Sequence, residues 1–273
     1  MEKPEGESHE SREHAPAIYA TVYLVRHGTT NYGEERGSPE VVEHDLTEEG
    51  VKSLQRLAEQ INDEIEPNDA VYVMSSPRVR AENSAQVLTE ALEAKGHTVE
   101  YLKGAKNSTR NWKLYRDEED KTDKNERRDI YDRRGDGTDA EIEAAYKRDM
   151  DAAFGQVLEA GPDLYLGWLR GEEIPFAENS EEYKKKIKVF LLRLADIARK
   201  RGEAALDERG AAPNEKVIIT THGEWLDSAL KIFFNKEITS LADGVQKGEA
   251  LKMEIFPDSV RFTFHDETIV LDA

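Results

Sequence analysis

Two apolar runs in this chain end on the same dipeptide. The run Ile18 to Val25 passes through Arg26 into His27-Gly28, and the run Val217 to Thr221 passes directly into His222-Gly223. Short runs rich in Val, Ile, Leu, Tyr and Thr read as buried strands. In an open α/β sheet, groups leaving the carboxyl ends of strands meet in one crevice. The arginine directly before the first histidine adds a chemical direction. A neutral imidazole attacks phosphorus well, and a guanidinium binds two phosphoryl oxygens at once while staying charged at any relevant pH.

The intervening pattern supports such a sheet. Residues 1 to about 16 are polar and aperiodic and read as a disordered arm. After the first strand, the Gly- and Glu-rich stretch Tyr32 to Glu43 reads as a loop, and Thr47 is the expected N-cap of a helix with Val51, Leu54, Leu57, Ala58 and Ile61 on one face. A strand over 70–74, a helix over 79–95 stopped by Gly96 and a strand over 98–102 follow. Strand and helix alternate here, which predicts a doubly wound sheet with parallel strands.

From Lys103 the pattern changes. Asp117 to Arg134 is dominated by charge, and Thr138-Asp139-Ala140-Glu141 is a capping box for a helix to about Ala160, ended by Gly161-Pro162. The stretch from about 103 to 175 is expected to be a helical insertion over the carboxyl edge of the sheet. Asn179-Ser180-Glu181-Glu182 then caps a long helix with Ile187, Phe190, Leu191, Leu194 and Ile197 as its core stripe, and a helix over 225–234 follows the second histidine. Strands over 251–256, 260–264 and 269–271 read as an antiparallel edge. The expected architecture is therefore one three-layer α/β/α domain over 17–273, a doubly wound and mostly parallel sheet carrying a helical insertion.

Composition removes several kinds of chemistry. With no cysteine, disulfides, thiolate metal sites and a cysteine nucleophile are excluded, and no histidine pair has metal-ligand spacing, so neither metal nor cofactor is expected. A formal net charge of −19 argues against nucleic acid and anionic membranes as partners. A phosphorylated small molecule then needs a local basic pocket, for which Arg26 and Arg80 are the candidates. No apolar stretch approaches the roughly 20 residues of a membrane span, and residues 1–8 lack the layout of a signal peptide, so a cytoplasmic location is expected. The remaining histidines, His9, His14, His44, His97 and His265, are expected in structural or solvated positions.

Four segments, in order, resemble the histidine phosphatase superfamily, the phosphoglycerate mutase-like proteins. They are Leu24 to Thr30, Asp45 to Gly50, Ser75 to Ala85 with its Ser-Pro-Arg start, and Thr221-His222-Gly223. The resemblance implies His27 as nucleophile, Arg26 and Arg80 as holders of the transferring phosphate and His222 as a donor to a phosphoryl oxygen. Thr30 and the backbone N–H groups near Gly28 and Gly223 are further expected substrate contacts. It implies a phosphatase acting on a phosphomonoester or phosphoanhydride through phosphohistidine. Two alternatives stand beside it, a mutase-like phosphotransferase and a phosphate-sensing or partner-binding protein. The mutases carry a Glu-Arg-His-Tyr-Gly type of segment after the third strand, which Asn107-Ser108-Thr109-Arg110-Asn111 does not match. The family's usual acidic proton donor is also absent, because Lys103 to Lys113 contains no carboxylate. Glu224, two residues past His222, and Asp117 or Glu118 in the insertion are the candidates for that role.

Overall fold

The computed structural model describes residues 17–30, 46–102, 109, 162–174, 177–209 and 214–272. The expected N-terminal arm, the 32–43 loop, the capping-box helix and both Asp117 and Glu118 lie outside the described residues. Strands β1 (Ala20–Arg26), β2 (Ala70–Ser75), β3 (Val99–Leu102), β4 (Glu215–Thr221), β5 (Ala250–Ile255), β6 (Ser259–Phe264) and β7 (Glu267–Asp272) form one sheet in the order β3-β2-β4-β1-β5-β6-β7. The pairs β3·β2, β2·β4 and β4·β1 are parallel, and β1·β5, β5·β6 and β6·β7 are antiparallel. The sheet is mixed: the doubly wound half is parallel, and the expected antiparallel edge closes the other side.

Helices α1 (Glu48–Asn62) and α2 (Val79–Ala94) cover one face. Their apolar stripes bury Leu54, Leu57, Ala58, Ile61, Leu88 and Leu92 against Tyr23, Val25, Val71, Val73 and Ile218. Thr47 caps α1 as its sequence position suggests, its hydroxyl accepting from the Gly50 N–H at 3.0 Å. Helices α3 (Pro162–Arg170), α4 (Ser180–Arg209) and α5 (Gly223–Phe234) cover the other face, packing Trp168, Leu191, Trp225 and Leu230 on Val22, Leu24, Val217 and Ile219. The period-two alternation along β1 thus feeds two cores, one on each side, which completes the α/β/α layering. Among the described residues no helix is long and apolar enough to cross a membrane.

Helix α3 differs from the sequence reading. Gly161-Pro162 is expected to end a helix that lies outside the described residues, and Pro162 also begins one, since a proline's fixed φ and missing N–H suit a first helical turn as well as a stop. Residues 162–174, assigned above to the insertion, belong to the core. Leu166, Trp168, Leu169 and Ile174 are buried, and the Trp168 indole N–H donates to the Glu178 carbonyl at 2.6 Å. Trp168→Ala is therefore expected to lower the unfolding free energy by about 3–5 kcal/mol, as for a large core side chain. Urea unfolding measures this, and a loss below about 0.5 kcal/mol, the scale of a surface position, would return α3 to a peripheral role.

Candidate active site

The register of two central strands sets the geometry. Arg26 on β1 is opposite Thr221 on β4, so His27 and His222 leave the sheet side by side, and the His27 N–H is held by the Thr221 carbonyl at 3.0 Å. Ser75 on β2 is opposite Thr220, which places Ser76 beside His222 on the other flank. The imidazole rings meet edge-on with centroids 5.4 Å apart. His27 is 7% exposed and His222 fully buried.

Each ring has a defined set of partners. His27 Nδ1–H donates to the Gly28 carbonyl at 2.8 Å, which leaves the Nε2 lone pair free to accept, and Arg80 Nε donates to it at 3.0 Å. Ser76 Oγ lies 2.7 Å from His222 Nε2. With the serine hydroxyl donating there, His222 keeps its proton on Nδ1, a buried atom with no hydrogen-bond partner among the described residues. Burial first, and then the guanidinium of Arg80, lower the His27 pKa to about 3. Burial, Arg80 and the neighbouring His27 push His222 well below its ordinary value as well. Both imidazoles are therefore neutral at physiological pH, one presenting a lone pair and the other an N–H.

Arg26 is fixed from behind. Its Nη1 donates to the Val245 carbonyl at 2.6 Å, and its buried Nε has no partner among the described residues. Gly223 makes this placement possible, since a Cβ there would lie 2.7 Å from the Arg26 guanidinium carbon. The expected use of Gly28 changes. Its N–H already donates to Ser84 Oγ at 3.1 Å, and a Cβ at Gly28 would lie 2.9 Å from the Gly50 carbonyl oxygen, so Gly28 serves close packing on α1 and is not a free donor. Thr30 is buried and pairs with Leu46 in an isolated antiparallel bridge, tying the loop after β1 to the start of α1. Glu224 lies half-buried in the first turn of α5. Its charge acts on Asp227 and Tyr165, and it is not among the principal groups shifting either histidine.

Several participants were not singled out from sequence. Ser76 and Ser84 fall inside the quoted Ser75–Ala85 segment, and only the fold shows that Ser76 orients His222 while Ser84 bridges the Arg80 carbonyl (2.6 Å) and Gly28. Arg78 is half-buried, and its charge reaches His222. Asp227, a carboxylate in the apolar helix α5, accepts from the Tyr165 hydroxyl at 2.7 Å and from the Val245 N–H at 2.9 Å. Burial raises its pKa. Thr221 Oγ1 donates to the carbonyl of the buried Thr109 at 2.6 Å, which places Thr109 at the carboxyl end of β4. Among the described residues no cluster of His, Asp and Glu forms a metal site.

The neutral histidines couple stability to pH. The folded protein keeps His27 unprotonated down to about pH 3, while the unfolded chain binds that proton near pH 6.5, so stability is full above about 6.5 and is lost as the pH falls. His222 contributes with the same sign. Between pH 7.5 and 5 the His27 share is about 2 kcal/mol. Urea unfolding of His27→Gln is expected to show a pH dependence shallower by that amount, and an unchanged slope would mean that His27 titrates in the fold as it does in the unfolded chain.

The model of the histidine phosphatase superfamily (branch 1) matches residues 22–163. No curated protein matches the chain significantly. Solved structures that resemble it include phosphoglycerate mutase from Bacillus anthracis str. Sterne, with 16% identity, 93% of this chain and 92% of that chain covered, and a TM-score of 0.48. A mycobacterial glucosyl-3-phosphoglycerate phosphatase complexed with VO3 has 16% identity, coverage of 92% and 99%, and a TM-score of 0.48. The α-ribazole phosphatase from Shigella flexneri has 13% identity, coverage of 92% and 95%, and a TM-score of 0.45.

Proposed function

This chain belongs to the histidine phosphatase superfamily, and from that membership we propose that it hydrolyses a phosphomonoester or phosphoanhydride through a phosphohistidine on His27. The observation that supports this reading most is the pair of buried, neutral imidazoles at the ends of β1 and β4, with Arg80 on the Nε2 lone pair of the first. In the proposed first step the phosphoryl group displaces Arg80 from His27 Nε2. That nitrogen forms the N–P bond as the ester P–O bond breaks, and the leaving oxygen takes a proton from an acid. Water then attacks phosphorus, the N–P bond breaks, the water's proton passes to the same carboxylate, and inorganic phosphate departs.

The charge of the transferring group spreads over oxygens that stay anionic throughout, so positioned donors lower the barrier. Arg26 Nε and His222 Nδ1 are two buried donors without partners among the described residues, and Arg80 exchanges an imidazole for a phosphoryl oxygen. No donor has to be desolvated during the reaction. His27→Ala is expected to abolish turnover together with any acid-labile, base-stable phosphoenzyme, tested with radiolabelled substrate and acid quench. Substantial residual turnover in that variant would sink the phosphohistidine route.

We propose Glu224, which α5 holds two residues from His222, as the proton donor. An alkyl phosphate must release a basic alkoxide, whereas nitrophenolate leaves unprotonated. Glu224→Gln is thus expected to slow hydrolysis of an alkyl phosphate at least tenfold more than that of p-nitrophenyl phosphate, on the scale of a lost general acid. Equal slowing of both would remove Glu224 from the role and direct the same comparison to Asp117 and Glu118.

A further inference from the structure

The loop between α5 and β5 carries a lysine that neither the sequence reading nor the proposed mechanism uses. Gln246, Lys247, Gly248 and Glu249 form a tight turn closed by the Glu249 N–H to the Gln246 carbonyl at 3.0 Å, with Gly248 at φ 79° in its third position, the arrangement of a type II turn. The turn is clamped to Arg26. The Val245 carbonyl accepts from Arg26 Nη1 at 2.6 Å, the Gly248 N–H donates to the Arg26 carbonyl at 3.1 Å, and the Arg26 N–H donates to the Glu249 carbonyl at 2.9 Å. A side chain at Gly248 would collide with Ser53 Oγ of α1, at 2.4 Å. Lys247 therefore projects from a rigid corner whose neighbours on both sides bond to the arginine of the candidate site.

The lysine ammonium has no hydrogen bond or ion pair among the described residues, although the protein is strongly acidic. The nearest carboxylate in sequence, Glu249, is occupied by the Gln246 N–H at 2.8 Å. Lys247 is instead in the electrostatic company of cations. Its charge acts on His27, and partial desolvation followed by the charges of Arg26 and Arg80 holds its own pKa below the ordinary value. Like charges repel one another, and an anion held by the lysine relieves that repulsion. The position of Lys247 selects which anion. His27 and His222 are buried, where the proposed phosphoryl transfer takes place, whereas Lys247 is exposed on the turn bonded to Arg26.

We propose that Lys247 binds a second anionic group on the substrate, a carboxylate or a further phosphate, beyond the phosphoryl group transferred to His27. The proposal rests on the phosphatase reading above and narrows the substrate to polyanionic phosphoesters. An ammonium on a flexible stem suits this task, because it meets an anionic oxygen as a point charge without the fixed geometry a guanidinium imposes.

The test compares matched esters in the wild type, Lys247→Met and Lys247→Arg. Phosphoglycolate is paired with 2-hydroxyethyl phosphate for a carboxylate, and propane-1,3-diol bisphosphate with 3-hydroxypropyl phosphate for a second phosphate. In Lys247→Met the preference for the more anionic member is expected to fall by about tenfold or more in at least one pair, chiefly through KM, as suits loss of a charged hydrogen bond. Lys247→Arg restores it. The pair in which the ratio falls identifies the anion. Ratios unchanged in both pairs, or an equal loss for both members of each pair, would overturn the proposal. The same ratios measured as Kd values by calorimetry in a His27→Ala background keep the two readings separable. A wild type that turns over none of the four esters removes the phosphatase reading, and the binding ratios still decide Lys247.

Discussion

The parallel pairing of β1 with β4 is the constraint on which the rest depends. Both strands are buried on two faces, so their side chains are fixed by packing: Tyr23 and Val25 point into the core under α1 and α2, and Val22 and Leu24 into the core under α4 and α5. A one-residue slip would exchange the two faces and send apolar side chains into the wrong core, which makes the register costly to change. That register places Arg26 opposite Thr221, and therefore His27 beside His222. The β2·β4 register then delivers Ser76 to His222 by the same logic. The precision of the candidate site is inherited from hydrophobic packing several residues away.

Electrostatically, the candidate site is built from cations and neutral rings in an acidic protein. Burial keeps both imidazoles uncharged, and the arginines reinforce this, because a protonated ring beside a guanidinium in a low dielectric would be strongly disfavoured. Gly223 carries part of the arrangement sterically: the guanidinium of Arg26 passes over a backbone position where a methyl group has no room. Small residues after both histidines thus have different physical reasons, close packing on α1 at Gly28 and passage of a side chain at Gly223.

Much of this was legible in the chain. The two apolar runs, each ending on His-Gly, placed both histidines correctly because strand direction and burial are local properties of composition, and the caps of α1 and the antiparallel edge followed from Thr47 and the spacing of the last strands. What was misread depended on long-range contacts. Pro162 is consistent with stopping one helix and with starting another, and only the burial of Trp168 against α4 and α5 shows that the residues after it belong to the core and not to the insertion. The backbone of Gly28 looked available for substrate until Ser84, 56 residues away, was seen to use it. Lys247 sits between two glycines in a stretch with no periodicity, so nothing in its neighbourhood distinguishes it from a solvated loop residue before the turn is seen clamped on Arg26.

Asp227 shows how the second core and the candidate site are joined. A carboxylate in an otherwise apolar helix costs desolvation unless its oxygens are satisfied, and here one accepts from Tyr165 of α3 and the other from the Val245 N–H. The same Val245 turns its carbonyl to Arg26 Nη1. A continuous path therefore runs from the α3–α5 contact through Asp227 and Val245 to the guanidinium, and the loop it anchors also carries Lys247. Apolar residues of equal volume at 165 and 227 would serve packing as well or better, since buried polar pairs are seldom the most stable choice. What the pair supplies is direction. Hydrogen bonds fix the angle at which the loop meets β1, whereas hydrophobic contact alone leaves that angle to fluctuate, and the direction of the Arg26 guanidinium depends on the angle more than on the packing.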